Sequence, residues 1–532
     1  MLLRKGIITT LSQIEDTFTK NSSCIIKPCS CILALKTDYR SVLNYGRNLL
    51  RKISKFGRQV IKTNTMNSLD LAFTPALELA KLIRDRQISP LELTQVYLNR
   101  IQQYDSQLGS FFAIAGDMAM SDAKAKTEQL AQTSDINALP PFFGVPTAIK
   151  DLNAVAQMPL SYGISVFRDN VANYDDTVVT RIKKAGFIVL GKTATSQLGS
   201  FPYTEPPGFP PTRNPWHRDY VAGGSSGGAA AAVAAGLCPI AQGSDGGGSI
   251  RIPAACCGLV GIKPSRGRIS NAPVGDFQSG ISTHGPLGRT VADAAALLDV
   301  MAGYVTGDPY WLVSPEISFL EATRQSSIPL KIAFSTQIYP FPEPEIVIKE
   351  AVYKTAKLLA EMGHEVEPDC PDFQELINPF KQIWQAGILA AGVPLKVLSP
   401  INQWLGEQAK MTGKYLQAVH QMQIISRQIV AFFDRFDLLV LPVYLQQPIK
   451  VGEWANLSPE EVVENIIKWI APCPPCNASG LPGITLSMGQ DEKGLPVGVQ
   501  LIGKPADELT LIRVAAQLEQ MTDRLSFKMN QL

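Results

Sequence analysis

From Met66 onward, segments with a helical spacing of apolar residues alternate with short apolar runs that are typical of strands. One helix start is explicit. Residues 89–92 (Ser-Pro-Leu-Glu) form a capping box with proline at the first helical position, and apolar residues follow at helical spacing. Strands that alternate with helices predict a sheet covered by helices on both faces. The chain is therefore expected to adopt an α/β fold.

The bounds of the remaining elements follow from the same patterns. Strands are predicted at 111–114, 145–149, 187–190, 259–262, 331–333, 438–441, 484–487 and 497–501. Further helices are predicted at 117–132, 177–185, 291–301, 345–362, 409–433 and 508–519. No repeat with a period of about 20 to 50 residues is present, which excludes a solenoid.

Composition excludes several classes of protein. Of 532 residues, 45% are hydrophobic and 18% are charged, and a charged fraction below the usual value of about 25% argues against disorder. The net charge of +2 gives no electrostatic reason to expect nucleic acid or an anionic membrane as a partner. No apolar run reaches the roughly 18 residues that a membrane span needs. We expect a cytoplasmic protein without stable membrane insertion.

The cysteines indicate a reducing compartment, because nine of them are scattered along a chain too long to need disulfides. Cys473-Pro-Pro-Cys476 has the spacing of half a zinc ribbon. No second pair has this spacing, and the four histidines lie far apart in the sequence. We therefore expect no metal site.

Residues 1–65 differ from the rest of the chain. They carry a net charge of +9, which leaves −7 for the remainder. They lack clean periodicity, apart from an amphipathic helix that is compatible with residues 42–61. We interpret 1–65 as a poorly ordered basic extension and 66–532 as one domain, which the motifs described below assign to catalysis. The extension is compatible with a transit peptide for an organelle, with a weak contact to anionic lipid, or with upstream sequence that has no role.

Three short motif matches are unconvincing. Residues 186–193 satisfy the P-loop pattern, but their middle residues are Phe-Ile-Val-Leu and indicate a buried strand. Residues 224–228 match a Gly-x-Ser-x-Gly elbow, but a polar loop, rather than a hydrophobic strand, precedes them. Ser121 and Lys124 match a Ser-x-x-Lys pattern that has only two fixed positions, and we assign them to a helix surface.

Two glycine-rich loops that contain serines flank one Ala-rich helix. The first is Gly-Gly-Ser-Ser-Gly-Gly at 223–228, and the second runs from 243 to 253. Consecutive glycines let backbone amides approach a ligand closely. The amides of Gly246, Gly247, Gly248 and Ser249 precede a helix predicted to begin at Ile250, and they could bind a developing oxyanion.

A serine nucleophile needs a base, and with so few histidines the natural candidate is a neutral lysine. Lys150 ends the predicted strand in Gly-Val-Pro-Thr-Ala-Ile-Lys-Asp at 144–151. Burial there would lower its pKa from about 10.4. Taken alone, Lys150 is equally compatible with an ordinary solvated lysine.

Together these motifs resemble the amidase signature family, whose enzymes use a Ser-Ser-Lys triad. The resemblance assigns Lys150 as the base, Ser225 as the bridging serine and Ser249 as the nucleophile. It also implies that Ser226 and the glycines at 246–248 bind the oxyanion or substrate. It extends through the motifs at 191–193, 254–265, 285–288 and 494–503, and so covers residues 67 to 525. It further implies a mixed central β-sheet.

The resemblance implies an amidase that hydrolyses a small-molecule amide without a cofactor. The Asp-Gly-Gly-Gly-Ser sequence at 245–249 and the Cys256-Cys257 pair are closer to bacterial general amidases and cyclic-oligoamide hydrolases. The glutamyl-tRNA amidotransferase component that belongs to this family, and that works with partner subunits, usually has threonine at the position of Gly246. An amidotransferase component of this kind and a noncatalytic family member remain alternatives, and a homodimer is compatible with the sequence.

Overall fold

The computed structural model describes residues 68–276, 278–412 and 414–522. The basic segment 1–65, including the helix considered at 42–61, lies outside the described residues. None of the helices in these three ranges is long and apolar enough to cross a membrane.

One sheet of eleven strands runs through the described part of the chain, in the order β1-β3-β2-β4-β6-β5-β10-β11-β9-β7-β8. The strands are β1 (Phe111–Ile114), β2 (Pro146–Lys150), β3 (Ile188–Thr193), β4 (Ile240–Asp245), β5 (Val260–Lys263), β6 (Thr283–Gly288), β7 (Lys331–Phe334), β8 (Glu365–Pro368), β9 (Leu438–Pro442), β10 (Gly483–Gln490) and β11 (Pro496–Gly503). β2 is parallel to β3 and β4, whereas the pairs from β4 to β9 in this order are antiparallel. The sheet is therefore mixed, as predicted.

The helices surround this sheet. They are α1 (Ser68–Phe73), α2 (Ala76–Arg84), α3 (Pro90–Leu108), α4 (Gly116–Gln132), α5 (Thr177–Lys184), α6 (Gly227–Ala234), α7 (Arg251–Cys257), α8 (Val291–Met301), α9 (Phe319–Ala322), α10 (Ile346–Glu361), α11 (Ile377–Ala390), α12 (Pro400–Thr412), α13 (Tyr415–Ala431), α14 (Pro459–Trp469), α15 (Pro474–Ser479) and α16 (Glu508–Met521). The predicted capping box at Ser89 is present at the start of α3.

Apolar periodicity located eight of the eleven described strands to within a few residues and missed three. It also missed six helices, α1, α2, α9, α11, α14 and α15. β4 and β6 were missed because their sequences, Ile-Ala-Gln-Gly-Ser-Asp and Thr-His-Gly-Pro-Leu-Gly, mix glycine and polar residues in place of an apolar run. The short β8 was also missed. The single helix predicted at 409–433 was wrong, because α12 ends at Thr412 and α13 begins at Tyr415. Glycine, a poor helix former, stands between them in the sequence.

The rejected motifs lie where the sequence suggested. Residues 188–193 of the P-loop match are the buried strand β3. Lys192 within that strand forms a buried ion pair with Asp151, with Nζ and Oδ1 2.8 Å apart. Ser121 and Lys124 lie on the exposed side of α4.

Two parallel neighbours in the sheet carry the residues of interest. β2 ends at Lys150, and β4 ends at Asp245, with Ile149 opposite Gln242 in the register between them. Carboxyl ends of parallel strands lie at the same edge of a sheet. The helix α6, in which every residue is buried, holds the first glycine-rich loop at this edge. Small side chains are required on α6 because all its faces are packed.

A substitution at Gly228 can test how closely α6 packs against the segments next to β1 and β3. A Cβ at this position would lie 2.3 Å from the amide nitrogen of Ala194 and 2.5 Å from the carbonyl oxygen of Ser110. Gly228→Ala should therefore lower the free energy of unfolding by at least about 1–3 kcal/mol in urea denaturation, because these backbone atoms must shift. Gly116→Ala, in a helix where a Cβ meets nothing within 4 Å, is the matched control and should be neutral or slightly stabilising. Equal stability of the two variants would contradict close packing at α6.

Candidate active site

Lys150 is completely buried and is surrounded by hydroxyl groups. Its Nζ lies 2.7 Å from Oγ of Ser225, 2.9 Å from Oγ of Ser226 and 3.0 Å from Oγ of Ser244. Burial lowers the pKa of Lys150 to about 7, although the negative charge of Asp245 opposes this change. The amine is therefore neutral in a large fraction of molecules near pH 7.

The hydrogen atoms around Nζ can be assigned from the remaining contacts. Ser226 directs its hydroxyl hydrogen to the carbonyl oxygen of Ser244 at 3.1 Å, so it accepts a hydrogen bond from Lys150. Within the described ranges, Nζ is the one hydrogen-bond partner of the Ser225 hydroxyl. A neutral amine has two hydrogens and one lone pair. Ser225 can therefore donate to this lone pair, which is the position a proton relay needs.

Ser249 lies on the second glycine-rich loop and is partly exposed. Its carbonyl oxygen accepts a hydrogen bond from the amide of Ser226 at 3.2 Å, which joins the two loops. Among the described residues, its Oγ has no hydrogen-bond partner. The structure thus places Lys150 and Ser225 in direct contact, and it joins Ser249 to them through the backbone.

A buried ion pair shapes the loop that carries Ser249. Asp245 and Arg251 are both fully buried, with Oδ2 of Asp245 3.0 Å from Nε of Arg251. Oδ1 of Asp245 also accepts from the amide of Gly248 at 2.7 Å, and Oδ2 accepts from the amide of Ile250 at 3.2 Å. Burial alone would raise the pKa of Asp245, but the charge of Arg251 holds it below its usual range. The carboxylate is therefore ionised, and it binds the backbone amides on both sides of Ser249.

Residues from the C-terminal third of the chain support this ion pair. Arg251 donates to Oδ1 of Asn477 at 2.6 Å and to Oε1 of Gln500 at 2.8 Å. Asn477 in turn donates to Oδ1 of Asp245 at 2.9 Å. The position of Ser249 thus depends on α15 and β11 as well as on its own loop.

Two predicted site residues have other roles in this structure. The amide of Gly248 is already bound to Asp245. Three amides of the loop, those of Gly246, Gly247 and Ser249, have no acceptor among the described residues and remain for an oxyanion. Ser226 was expected to bind the oxyanion or substrate. It is fully buried beside Lys150, because its hydroxyl bridges Nζ and the carbonyl of Ser244. Neither reassignment was evident from residue spacing.

A cavity of about 330 Å³ lies next to these loops, within the size range of small-molecule sites. It is lined by Ser244 and by His284, which are opposite each other in the β4–β6 register. Gln278 and Ser282 line it too, and they are also the neighbours that a Cβ on Gly246 would approach. The cavity therefore borders Ser244, whose hydroxyl contacts Lys150, and the two side chains that lie beside Gly246.

His284 is half-buried, and its Nδ1 lies 3.3 Å from Nε2 of Gln242. Burial, with a further contribution from the charge of Lys150, lowers the pKa of His284 to about 4. This histidine is therefore neutral at pH 7. It is poorly suited to act as the base, because its conjugate acid is too strong.

Sequence reasoning missed Gln242, Ser244 and His284, and it gave no role to Asp245 or Arg251. The acidic residue directly before the glycines at 246–248 was the one available signal, since strand ends carry functional residues in α/β sheets. Gln242, Ser244 and His284 had no signal, because they lie on β4 and β6, which were not recognised as strands.

Cys473 and Cys476 serve as buried packing residues. Their thiols donate to the carbonyl oxygens of Val443 at 3.2 Å and Leu481 at 3.1 Å. Within the part of the chain that the structure describes, no group of three or more His, Cys, Asp or Glu side chains could hold a metal ion.

Known proteins resemble this chain over most of its length. A family model described as Amidase matches residues 92–512. A protein of Synechocystis sp. that bears the name "Putative amidase" is 56% identical over 483 residues, covering 91% of this chain and 94% of that protein. A glutamyl-tRNA(Gln) amidotransferase component from Prochlorococcus marinus is 32% identical over 469 residues, covering 82% of this chain and 95% of its own.

Solved structures share the fold. A 6-aminohexanoate cyclic dimer hydrolase complexed with substrate has a TM-score of 0.79 at 27% identity, covering 85% of this chain and 97% of its own. A bacterial aryl acylamidase of the amidase signature family has a TM-score of 0.76 at 28% identity, covering 84% and 96%.

The ion pair of Asp245 and Arg251 predicts a large loss of stability when one partner is removed. Arg251→Met should lower the free energy of unfolding by about 3–5 kcal/mol, because it leaves an uncompensated buried carboxylate. The double variant Asp245→Asn/Arg251→Met should lose less than this single variant. As a control, Lys410→Met breaks the exposed pair with Glu407 and should change stability by less than about 1 kcal/mol. Urea denaturation measures the free energy of unfolding of all three variants. A small effect of Arg251→Met would contradict a structural role for the ion pair of Asp245 and Arg251.

Proposed function

The chain belongs to the amidase signature family, and from this premise we propose that it hydrolyses a carboxylic amide to a carboxylate and ammonia or an amine. The reaction proceeds through an acyl-enzyme on Ser249, with Ser225 as proton relay and neutral Lys150 as base. One observation carries this proposal: the fully buried Nζ of Lys150 lies 2.7 Å from the Ser225 hydroxyl, next to the loop of Ser249.

In the first step, Oγ of Ser249 attacks the amide carbonyl carbon. Its proton passes to Ser225, and the proton of Ser225 passes to Lys150. A pKa of about 7 for Lys150 supports this role, since a base poised near the working pH both accepts and returns a proton readily. Approach of the Ser249 hydroxyl to Ser225 is the one new contact that the relay requires.

The tetrahedral intermediate places a negative charge on the former carbonyl oxygen. The amides of Gly246, Gly247 and Ser249 have no acceptor among the described residues, so they can donate to this oxygen. The proton then returns from Lys150 through Ser225 to the nitrogen of the leaving group, and the carbon–nitrogen bond breaks. A water molecule then gives a proton to the same relay and attacks the acyl carbon of the ester on Ser249, which releases the carboxylate.

A second candidate function is that of a glutamyl-tRNA amidotransferase component that works only with partner subunits. The 32% identity to such a protein from Prochlorococcus marinus favours it, whereas Gly246 in place of the usual threonine disfavours it. Hydrolysis of aliphatic, aryl or cyclic amides by the isolated chain separates the two candidates. A noncatalytic family member is disfavoured by the intact Lys150, Ser225 and Ser249.

The nucleophile can be identified by covalent labelling. A fluorophosphonate should modify Ser249, because a serine with an adjacent base reacts much faster than an ordinary hydroxyl. Ser249→Ala should lose the label and at least about 10⁴-fold in kcat. Ser121→Ala, which changes a serine on the exposed side of α4, is the control and should keep both. Peptide mass mapping that placed the adduct on Ser226 or Ser121 would overturn the assignment.

The base can be identified by the pH profile. Lys150 must be neutral to accept a proton, and its pKa is lowered to about 7. The value of kcat/KM should therefore rise with pH, about tenfold per unit below pH 7, and level off above it. Lys150→Ala should lose about 10²- to 10⁴-fold. If the profile instead turned near pH 4, the transition would fit His284 and contradict the role of Lys150.

A further inference from the structure

A third hydroxyl group, that of Ser244 on β4, contacts the amine of Lys150. Its Oγ lies 3.0 Å from Nζ, and among the described residues Nζ is its one hydrogen-bond partner. A neutral amine has one lone pair and two hydrogens, and Ser226 accepts one of these hydrogens. The lone pair and the remaining hydrogen are therefore divided between Ser225 and Ser244.

Burial indicates which of these two hydroxyls donates to the lone pair. Ser225 is 1% exposed, and Nζ of Lys150 is its one described partner. If Ser225 accepted from the amine, the hydrogen of its own hydroxyl would be buried without an acceptor, which is costly. Ser244 is 8% exposed and lines the cavity of about 330 Å³, so water there can accept its hydrogen. Ser225 is therefore the donor, and Ser244 accepts from the amine.

The distances around Nζ favour the same assignment. Hydroxyl donors form shorter hydrogen bonds than N–H donors do. The contact with Ser225 is the shortest, at 2.7 Å, whereas those with Ser226 and Ser244 are 2.9 Å and 3.0 Å. The carbonyl oxygen of Ser244, which can only accept, also lies 3.5 Å from Nζ. An N–H of Lys150 directed at Ser244 thus has two acceptors.

We propose that Ser244 is a positioning residue of the reaction, which accepts the second hydrogen of the neutral Lys150 amine and so directs its lone pair at Ser225. When the amine takes up the proton relayed from Ser249, the new hydrogen lies between Nζ and Ser225. Ser244 then remains one of three hydroxyl acceptors of the ammonium. This inference rests on the proposed function, because Ser244 acts through the base of that relay.

The protonation of Lys150 can be followed because the other groups near it are paired or neutral at pH 7. Burial lowers the pKa of Lys150 to about 7, and the charge of Asp245 opposes this change. The other groups are the ion pair of Asp245 with Arg251, the ion pair of Asp151 with Lys192, and His284, whose pKa is lowered to about 4. A transition near pH 7 therefore reports Lys150.

The test follows the labelling of Ser249 by a fluorophosphonate as a function of pH, which requires no knowledge of the natural amide. Ser244→Ala keeps the backbone, and the lost hydroxyl has no described partner except Lys150, so the variant should fold. The rate constant at the high-pH plateau should fall roughly 10- to 100-fold, because the lone pair can rotate away from Ser225. The midpoint should move down by about one pH unit, because the ammonium loses one acceptor.

The direction of the second change separates positioning from a general disturbance of the site. A loosened site would admit water to Lys150, weaken the effect of burial and raise the midpoint. Ser244→Thr keeps the hydroxyl, and the cavity has room for its methyl group. This variant should keep the wild-type midpoint and a plateau rate within about threefold of wild type.

Ser487→Ala is the matched control for the loss of a serine hydroxyl. Ser487 lies on β10, and its Oγ is buried with no partner among the described residues. Its removal breaks no described hydrogen bond, so the plateau rate should stay within about twofold of wild type and the midpoint should not move. A loss equal to that of Ser244→Ala would contradict a specific role for Ser244.

The outcomes separate this inference from the proposed function. If Ser249 is labelled with a transition near pH 7, but Ser244→Ala keeps its plateau rate or does not lower the midpoint, the positioning role is wrong and the amidase proposal stands. The positioning role is also wrong if Ser244→Thr behaves like Ser244→Ala, because the hydroxyl is then not the group that matters. If the wild-type protein is not labelled at Ser249, the proposed function fails, and the role of Ser244 fails with it.

Discussion

The site depends on the complete burial of one amine. Lys150 ends β2 inside the protein, where its charged form is disfavoured and its pKa falls to about 7. Such a group is tolerated only when polar partners surround it. Three serine hydroxyls from two different segments supply these partners. The close approach of both glycine-rich segments to β2 follows from this requirement, as does the small-residue helix α6 that follows the first of them.

A second buried charge, Asp245, lies one residue after the Ser244 hydroxyl. Left uncompensated, it would favour the protonated form of Lys150 and so weaken the base. Arg251 neutralises it through two contacts of 3.0 Å. The same pair binds the amides of Gly248 and Ile250 on either side of Ser249. One ion pair therefore serves both the electrostatics of the base and the geometry of the nucleophile loop.

The sequence proposed Lys150, Ser225 and Ser249 as site residues because they lie in motifs whose residue types leave few alternatives. The structure brings the first two into direct contact. β4 and β6 were not predicted because glycine and polar residues interrupt the apolar pattern that is typical of a strand. Both strands are nevertheless buried at the centre of the sheet. The roles of Ser244 and His284 were lost with them.

By itself, the sequence determined the alternation of strands and helices, the two glycine-rich loops and the resemblance to the amidase signature family, because each depends on residues close together in the chain. Tertiary structure alone decided that Ser226 lies beneath Lys150 and that the amide of Gly248 is bound to Asp245. It also decided that Asn477 reaches Asp245 across 232 positions. Such contacts depend on how distant segments pack, and no local pattern of residues encodes the direction in which a buried hydroxyl, amide or carboxylate points.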